Sequence, residues 1–352
     1  MFSLEQLGFS DFFAAQAAEY ATRGWIPARV SAASQSRFHL LGCDAELAEL
    51  SGRLRHELSG VDRPNTGDWV MLEVRGERAT IQAVLPRRTA LVRRAVRGGG
   101  EQLVAANVDV FFIVTSANQD FSPRRLERYV TAVWDSGARP VVVLNKVDLT
   151  EAPRDYVEQI EAVAPAVEVF SLSALQGTGL EALEAALAPG LTFGFVGSSG
   201  VGKSSLVNRL QGEATQVIAE IRDDGTGRHA TTRRELVPLT NGSVLIDTPG
   251  MREFGVVADE ASLDAAFADI ADLATRCRFP DCRHESEPGC GVLAAEASGE
   301  LAIERLKSYR KLLREAAAFE RRHSPEQQSN AKRRWKTINK QMKHFDKSKR
   351  YR

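Results

Sequence analysis

The stretch Leu191-Thr192-Phe193-Gly194-Phe195-Val196 runs straight into Gly197-Ser198-Ser199-Gly200-Val201-Gly202-Lys203-Ser204, and a helix-forming run, SSLVNRL (204–210), follows. Mostly apolar residues make a buried strand, glycines turn the chain, and a helix begins at the lysine. Glycines at this spacing let backbone N–H groups point inward around an anion. A lysine placed here reaches the β- and γ-oxygens of a nucleotide, and the Ser204 hydroxyl is placed to bind Mg²⁺. The start of the helix adds favourable partial charge. Residues Gly197 to Ser205 are therefore read as a phosphate loop.

Working outward, each neighbouring strand ends in a polar motif. DVFFIVT (109–115) and PVVVL (140–144) are continuous apolar runs, as expected of parallel strands covered on both faces. Asn145-Lys146-Val147-Asp148 follows the second. A carboxylate at Asp148 accepts from both N1–H and the 2-amino group of guanine, a donor pair that adenine lacks, so the motif selects the base. Ser173-Ala174 follows VEVFSL (167–172) and would support the base through a backbone N–H. SVLID (243–247) ends at Asp247, which would hold Mg²⁺ through water, with the Gly250 N–H on the γ-phosphate. Further strands are expected at 167–170, 192–196 and 243–246, and a helix at 123–136.

The polar, Gly-rich segment 214–235 suits a switch that orders on γ-phosphate and Mg²⁺. Thr231 or Thr232 supplies its metal-sensing hydroxyl, with Thr232 favoured. Met251 stands where many GTPases use glutamine to orient the attacking water, and a thioether cannot do so. His229 is then the nearest polar candidate, and Lys203, Thr232 and His229 are the residues expected to carry the chemistry. Because positioning is nearly all the catalysis such a site has, turnover should be slow without an activating partner.

The motifs stand in an unusual order. The base-reading segments precede the phosphate loop and Asp247 follows it, whereas an ordinary GTPase starts with the phosphate loop. This is a circular permutation, and it puts the Asp247 loop next to whatever follows in the chain.

At 352 residues two or three domains are expected. Short β-type runs at 25–31, 38–41, 68–74 and 80–85 suggest a small barrel, best matched by an OB-fold. Arginines from Arg87 to Arg97 read as a basic edge, and Gly98-Gly99-Gly100 as a joint. Cys277, Cys282, His284 and Cys290 fall within 14 positions, enough for a closed tetrahedral Zn²⁺ site of structural type. Cys43 reads as a core residue. A helix is expected at 303–322, and beyond it 331–352 holds ten Lys or Arg against one acid, Asp346. Trp335, Phe345 and Tyr351 interleave with those charges, a footprint of RNA binding.

The expected architecture is thus a multidomain α/β protein. Residues 1–98 would be an N-terminal extension and OB-fold β-barrel, 99–270 a circularly permuted P-loop GTPase domain, and 271–352 a zinc-binding helical domain with a basic tail. No apolar run is long enough to cross a bilayer, the start lacks a signal-peptide pattern, and the cysteines do not form a disulfide framework, so a cytoplasmic protein is expected.

On the motif order, Asn145–Asp148, Gly197–Ser205, Gly227-Arg228-His229, Asp247–Gly250 and the cluster from Phe279 to Cys290, the chain resembles the ribosome small-subunit-dependent GTPase A family. That resemblance implies low intrinsic hydrolysis of GTP to GDP, stimulated by the 30S subunit. It also implies a late maturation role near the decoding centre, 16S rRNA as a contact, and His229 as catalytic residue. A monomer that binds neither DNA nor membrane is expected. Ala230 stands where the family usually has threonine, and the first 25 residues form an extension without an assigned role. Two other readings are an RNA-binding protein whose nucleotide only props up the fold, and a GTPase of translation or tRNA modification.

Overall fold

The computed structural model describes residues 2–34, 36–76, 78–94, 101–165, 167–212, 234–247, 263 and 266–323, with backbone only at 94, 247 and 315–323. The expected roles of His229, Thr231, Thr232, Gly250, Met251 and the basic tail fall outside these residues.

Helix α1 (Asp11–Ala21) leads into strands β1 (Ile26–Ala33), β2 (Phe38–Leu41) and β3 (Leu47–Leu50), a short helix α2 (Gly52–Glu57), then β4 (Trp69–Arg75) and β5 (Arg78–Val84). They close into a barrel in the order β1-β2-β3-β5-β4, with β3 and β5 parallel, which is the OB arrangement. Inward residues Val30, Phe38, Leu40, Leu50, Val70, Leu72 and Ile81 fill it. Bulges at Val30/Ala32 and Met71/Leu72 bend the two longest-paired strands enough to close it. The strand not foreseen is β3: Leu47-Ala48-Glu49-Leu50 has helix-like composition, and only its pairing on two sides makes it extended.

The N-terminal extension covers the outer face of the barrel. Leu7, Phe13 and Ala17 pack on Trp69, Met71, Ala83 and Leu85, with the Phe9 ring 4.7 Å from that of Trp69. β4 is consequently buried on both faces along its first four residues.

A hairpin of β6 (Ala90–Arg94) and β7 (Glu101–Ala106) joins the barrel to a six-stranded sheet. Part of the expected basic edge is spent on structure here. Arg87 makes paired 2.8 Å bonds to the buried Asp68 carboxylate, and Arg88 pairs with Asp109.

The sheet contains β8 (Val110–Ser116), β9 (Arg139–Asn145), β10 (Glu168–Ser171), β11 (Thr192–Gly197), β12 (Glu235–Pro238) and β13 (Val244–Asp247). Its spatial order is β10-β9-β8-β11-β13-β12, parallel except for β12. Helices α3 (Pro123–Asp135), α4 (Pro153–Val163), α5 (Leu180–Ala185) and α6 (Lys203–Gln211) cover its faces. Alternation sends Phe111 and Ile113 to one face against Tyr129 and Val133. Phe112 and Val114 go to the other, against Phe195 and Leu206. From β8 the chain steps outward to β9 and β10, then returns to the opposite side of β8 as β11. The sheet therefore reverses direction between β8 and β11, the place where open α/β sheets form a crevice.

Helices α7 (Ala268–Ala274), α8 (Gly291–Ser298) and α9 (Ile303–His323) end the described chain. Arg305 of α9 docks them: it bonds both Asp269 oxygens at 2.6 and 2.7 Å, Glu127 of α3 at 3.0 Å, and the carbonyls of Val163 and Ala266. Burial raises the Glu127 carboxyl above its usual range despite Ser308 and Arg305. Arg29 of β1 plays the matching part at the other junction. It donates to the carbonyls of Leu7, Gly67 and Asn107 and, at 2.8 Å, to Thr192 Oγ1 on β11. Among the described residues no helix is long and apolar enough to cross a membrane.

Candidate functional site

The carboxyl ends of the parallel strands lie level. Ser116 stands opposite Asn145, Leu144 opposite Ser171, and Gly197 opposite Val114. Ile246 stands opposite Gly194, so β13 ends at Asp247 alongside the strand that leads into the phosphate loop. Segments as far apart in the chain as Ser116 and Asp247 thus emerge on one edge.

Asn145 ties three of them together. Only 1% exposed, its Nδ2 donates 2.8 Å to the Val201 carbonyl in the phosphate loop, and its Oδ1 accepts from the Ala174 N–H at 2.9 Å. The Ala174 N–H expected to serve the base is therefore already engaged here, and would have to be shared or exchanged. Lys146, held at φ 62°, reaches over to the Gly200 carbonyl at 2.6 Å. Val147 and Asp148 form a single 3-10 turn after it. A buried carboxylate oxygen of Asp148, Oδ1, has no partner. An orphaned acceptor of this kind is costly and calls for a donor from outside the protein. Ser173 is buried, and its hydroxyl accepts from the Gln176 N–H, which folds the loop that follows β10.

The phosphate loop has the conformation its glycines allow. Gly202 sits at φ 100°, and a Cβ there would meet Asn145 Nδ2 at 2.2 Å; at Gly197 a Cβ would meet the Val114 carbonyl at 2.2 Å. Both are close approaches that no other residue permits. Lys203 Nζ folds onto the carbonyls of Gly197 and Ser198 at 2.7 and 2.5 Å. Ser199, Gly200, Ser204 and Ser205 are exposed, while Ser198 and Val201 are buried. Tyr129 of α3, its phenol raised by burial, hydrogen-bonds Ser198. Neither Tyr129 nor Arg209, which binds the Ala174 and Leu175 carbonyls, could be picked out from the sequence. Each is an ordinary amphipathic position whose contacts come from another part of the chain.

The second site is the metal-capable cluster. One ligand atom each from Cys277, Cys282, His284 and Cys290 lies within 4.8 Å of all the others. Cys277 and Cys290 sulfurs are 3.8 Å apart, and His284 Nδ1 stands 3.6 and 3.4 Å from them. A tetrahedron with ~2.3 Å metal–sulfur and ~2.1 Å metal–nitrogen bonds has edges of about this length. Burial opposes a Cys277 thiolate, but N–H groups of Val292 and Gly291 outweigh it and lower the thiol. Cys290 caps α8 by accepting the Leu293 N–H. His284 adopts φ 58° and its carbonyl accepts from Arg310. Cys43, half-buried, donates to the Ala45 carbonyl at the edge of the barrel core.

The sequence profile of the RsgA GTPase family matches residues 84–257. The small ribosomal subunit biogenesis GTPase RsgA 1 of Listeria monocytogenes is 44% identical over 345 residues, spanning 97% of this chain and 98% of its own length. The chain belongs to the RsgA GTPase family. The RsgA of Opitutus terrae is 42% identical over 353 residues, 96% of each chain. Among solved structures, YjeQ from Thermotoga maritima superposes with a TM-score of 0.63 at 25% identity, over 83% of this chain and 99% of that one. YloQ, described as a circularly permuted GTPase, gives 0.59 at 25% identity over 84% and 96%. The permuted order read from the motifs is that of the family, and as an RsgA GTPase the chain is a GTP hydrolase.

Proposed function

We propose that this GTPase acts in late maturation of the small ribosomal subunit, binding the 30S particle and 16S rRNA and hydrolysing GTP to GDP when the particle stimulates it. The relatives it matches along nearly their whole length carry small-subunit biogenesis in their names. The observation that carries the nucleotide half of the reading is the unpartnered Asp148 oxygen beside the Asn145 clasp.

In this reading Asp148 accepts N1–H and the 2-amino group of guanine, and donors in the 173–175 loop face the neighbouring carbonyl oxygen. Lys203 leaves the loop carbonyls for the β- and γ-phosphates. Ser204, Asp247 and Thr232 would hold Mg²⁺, which supplies charge neutralisation on the phosphate oxygens. His229 positions the attacking water, since Met251 cannot. The Cys277, Cys282, His284 and Cys290 set holds one structural Zn²⁺. The basic tail and the arginine edge before residue 98 face RNA, and the chain divides near 98/99 and 270/271 into barrel, GTPase and zinc units, with the β6–β7 hairpin and helix α7 bridging the two boundaries. We further read the protein as a cytoplasmic monomer.

Two measurements test this. Asp148→Asn should lower GTP affinity at least a hundredfold against ATP; an unchanged ratio removes Asp148 from the base. Turnover with and without purified 30S particles tests the partner, and no stimulation takes the ribosome out of the account. In the same assay His229→Ala should bind GTP and lose hydrolysis.

A further inference from the structure

Helix α6 carries a guanidinium that the nucleotide reading leaves unused. Arg209 Nε donates 2.8 Å to the Ala174 carbonyl, and Nη2 donates 2.9 Å to the Leu175 carbonyl. Two bonds from one rigid, planar group to consecutive carbonyls fix both the position and the tilt of the peptides between them. Because a peptide is planar, turning the Ala174 carbonyl toward Arg209 aims the Leu175 N–H the opposite way. On the other side of the loop, Asn145 holds the Ala174 N–H.

The Leu175 side chain, 81% exposed, gives the loop no apolar anchor at that position. Its placement there rests on these backbone clamps together with the Ser173 turn and the buried Ala174 side chain. Gly177 makes room for the clamp: at φ 86°, a Cβ would come within 3.3 Å of Arg209 Nη1. Arg209 lies on the helix that starts at Lys203, so the loop beside the base is referenced to the same rigid element as the loop around the phosphates.

We infer that Arg209 is a positioning residue for base recognition, setting the 173–175 loop so that the Leu175 N–H meets the carbonyl oxygen of guanine, the Ser173 and Ala174 N–H groups being engaged by Thr178 and Asn145. The inference rests on the proposed guanine reading of the site, and its test separates the two. Three nucleotides are titrated against wild type, Arg209→Ala and Arg209→Lys. GTP has the full edge of the base. Inosine triphosphate keeps the carbonyl and lacks the 2-amino group, and 6-thioguanosine triphosphate has a poorly accepting sulfur in place of the carbonyl oxygen.

In Arg209→Ala, affinity for GTP and inosine triphosphate should fall together, by about three- to tenfold, for a charge-assisted clamp at the surface. Affinity for the 6-thio analogue should fall by about twofold or less, because the contact is already weak there. Lysine, with one reachable carbonyl, should restore part of the loss. An equal fall for all three nucleotides, as a merely loosened fold would give, overturns the inference, and so does no fall at all. If the alanine variant melts before it can be titrated, the same comparison between lysine variant and wild type decides, with the 6-thio ratio again the readout. Wild type that binds GTP and the 6-thio analogue equally well removes the carbonyl contact and the inference with it. Wild type that does not prefer GTP to ATP brings down the underlying guanine reading instead.

Discussion

At Arg305 five hydrogen bonds use every N–H of a guanidinium buried between α9, α7 and α3, while at Asp148 a buried carboxylate oxygen meets nothing. One is a buried cation and the other a half-buried carboxylate with one oxygen out of water, and they are handled in opposite ways. The junction groups are satisfied from within the chain, so their work is architectural. At the pocket, Asp148 is left a donor short, and the Lys203 ammonium rests on carbonyls of its own loop, contacts that a phosphate can replace. Between these two charged groups, completeness of hydrogen bonding marks the difference, one closed within the fold and one open beside the phosphate loop.

The largest effect is expected at the cysteine cluster, whose four ligand atoms stand close enough together to hold a metal ion. Stripping the metal with a chelator should destabilise the α7–α9 segment by roughly 5 kcal/mol or more, as for a structural site. Loss of helical signal and a gain in sulfhydryl reactivity would report it. Unchanged thiol reactivity on chelation would mean the four side chains stand together without an ion.

Arg305→Met comes next, because it strands Glu127, 3% exposed, without its cation. Breaking one side of a buried pair costs about 3–5 kcal/mol, measurable by urea unfolding. The pH dependence has a definite sign. Burial raises the Glu127 carboxyl in the folded state, so stability from this group is fully present below its unfolded pKa and is lost as pH rises through the folded one. The variant should therefore recover part of its deficit at mildly acidic pH relative to neutral. A loss under about 1 kcal/mol at neutral pH would mean the junction is not sealed.

Gly202→Ala attacks the pocket's own scaffold. The new methyl would stand 2.2 Å from Asn145 Nδ2 at a left-handed φ, forcing the clasp open. GTP affinity should drop about a hundredfold, or ~2.7 kcal/mol, with a smaller effect on the melting temperature. The gentlest probe is Thr192→Val. Arg29 loses one of its four acceptors, which should cost ~1–2 kcal/mol by thermal melt and leave nucleotide binding unchanged.

Much of this was readable beforehand. The strands at 110–116 and 139–145, the phosphate loop, and the helices at 123–135 and 303–323 stand within a residue or two of expectation. Their signals are local: continuous apolar runs, glycine spacing, amphipathic period. β3 was missed because Leu47–Leu50 owes its extension to neighbours on both sides. The N-terminal helix was missed because nothing in residues 11–21 announces that a tryptophan 50 or so positions later needs covering. Arginines were the least legible residues. Arg87, expected at a basic edge, closes on Asp68, and Arg29 and Arg305, invisible in a chain with 46 basic residues, are keystones.

The order of motifs, the pairing of the Asn145–Asp148 motif with a phosphate loop, and the set of three thiols and an imidazole are written in the sequence. Each depends on residue types at short fixed spacings, which folding cannot rearrange. Only the tertiary structure decides which cations are spent inside and which polar atoms are left over. A buried charge takes its meaning from partners brought up from distant parts of the chain, and those distances exist only once the sheet has assembled.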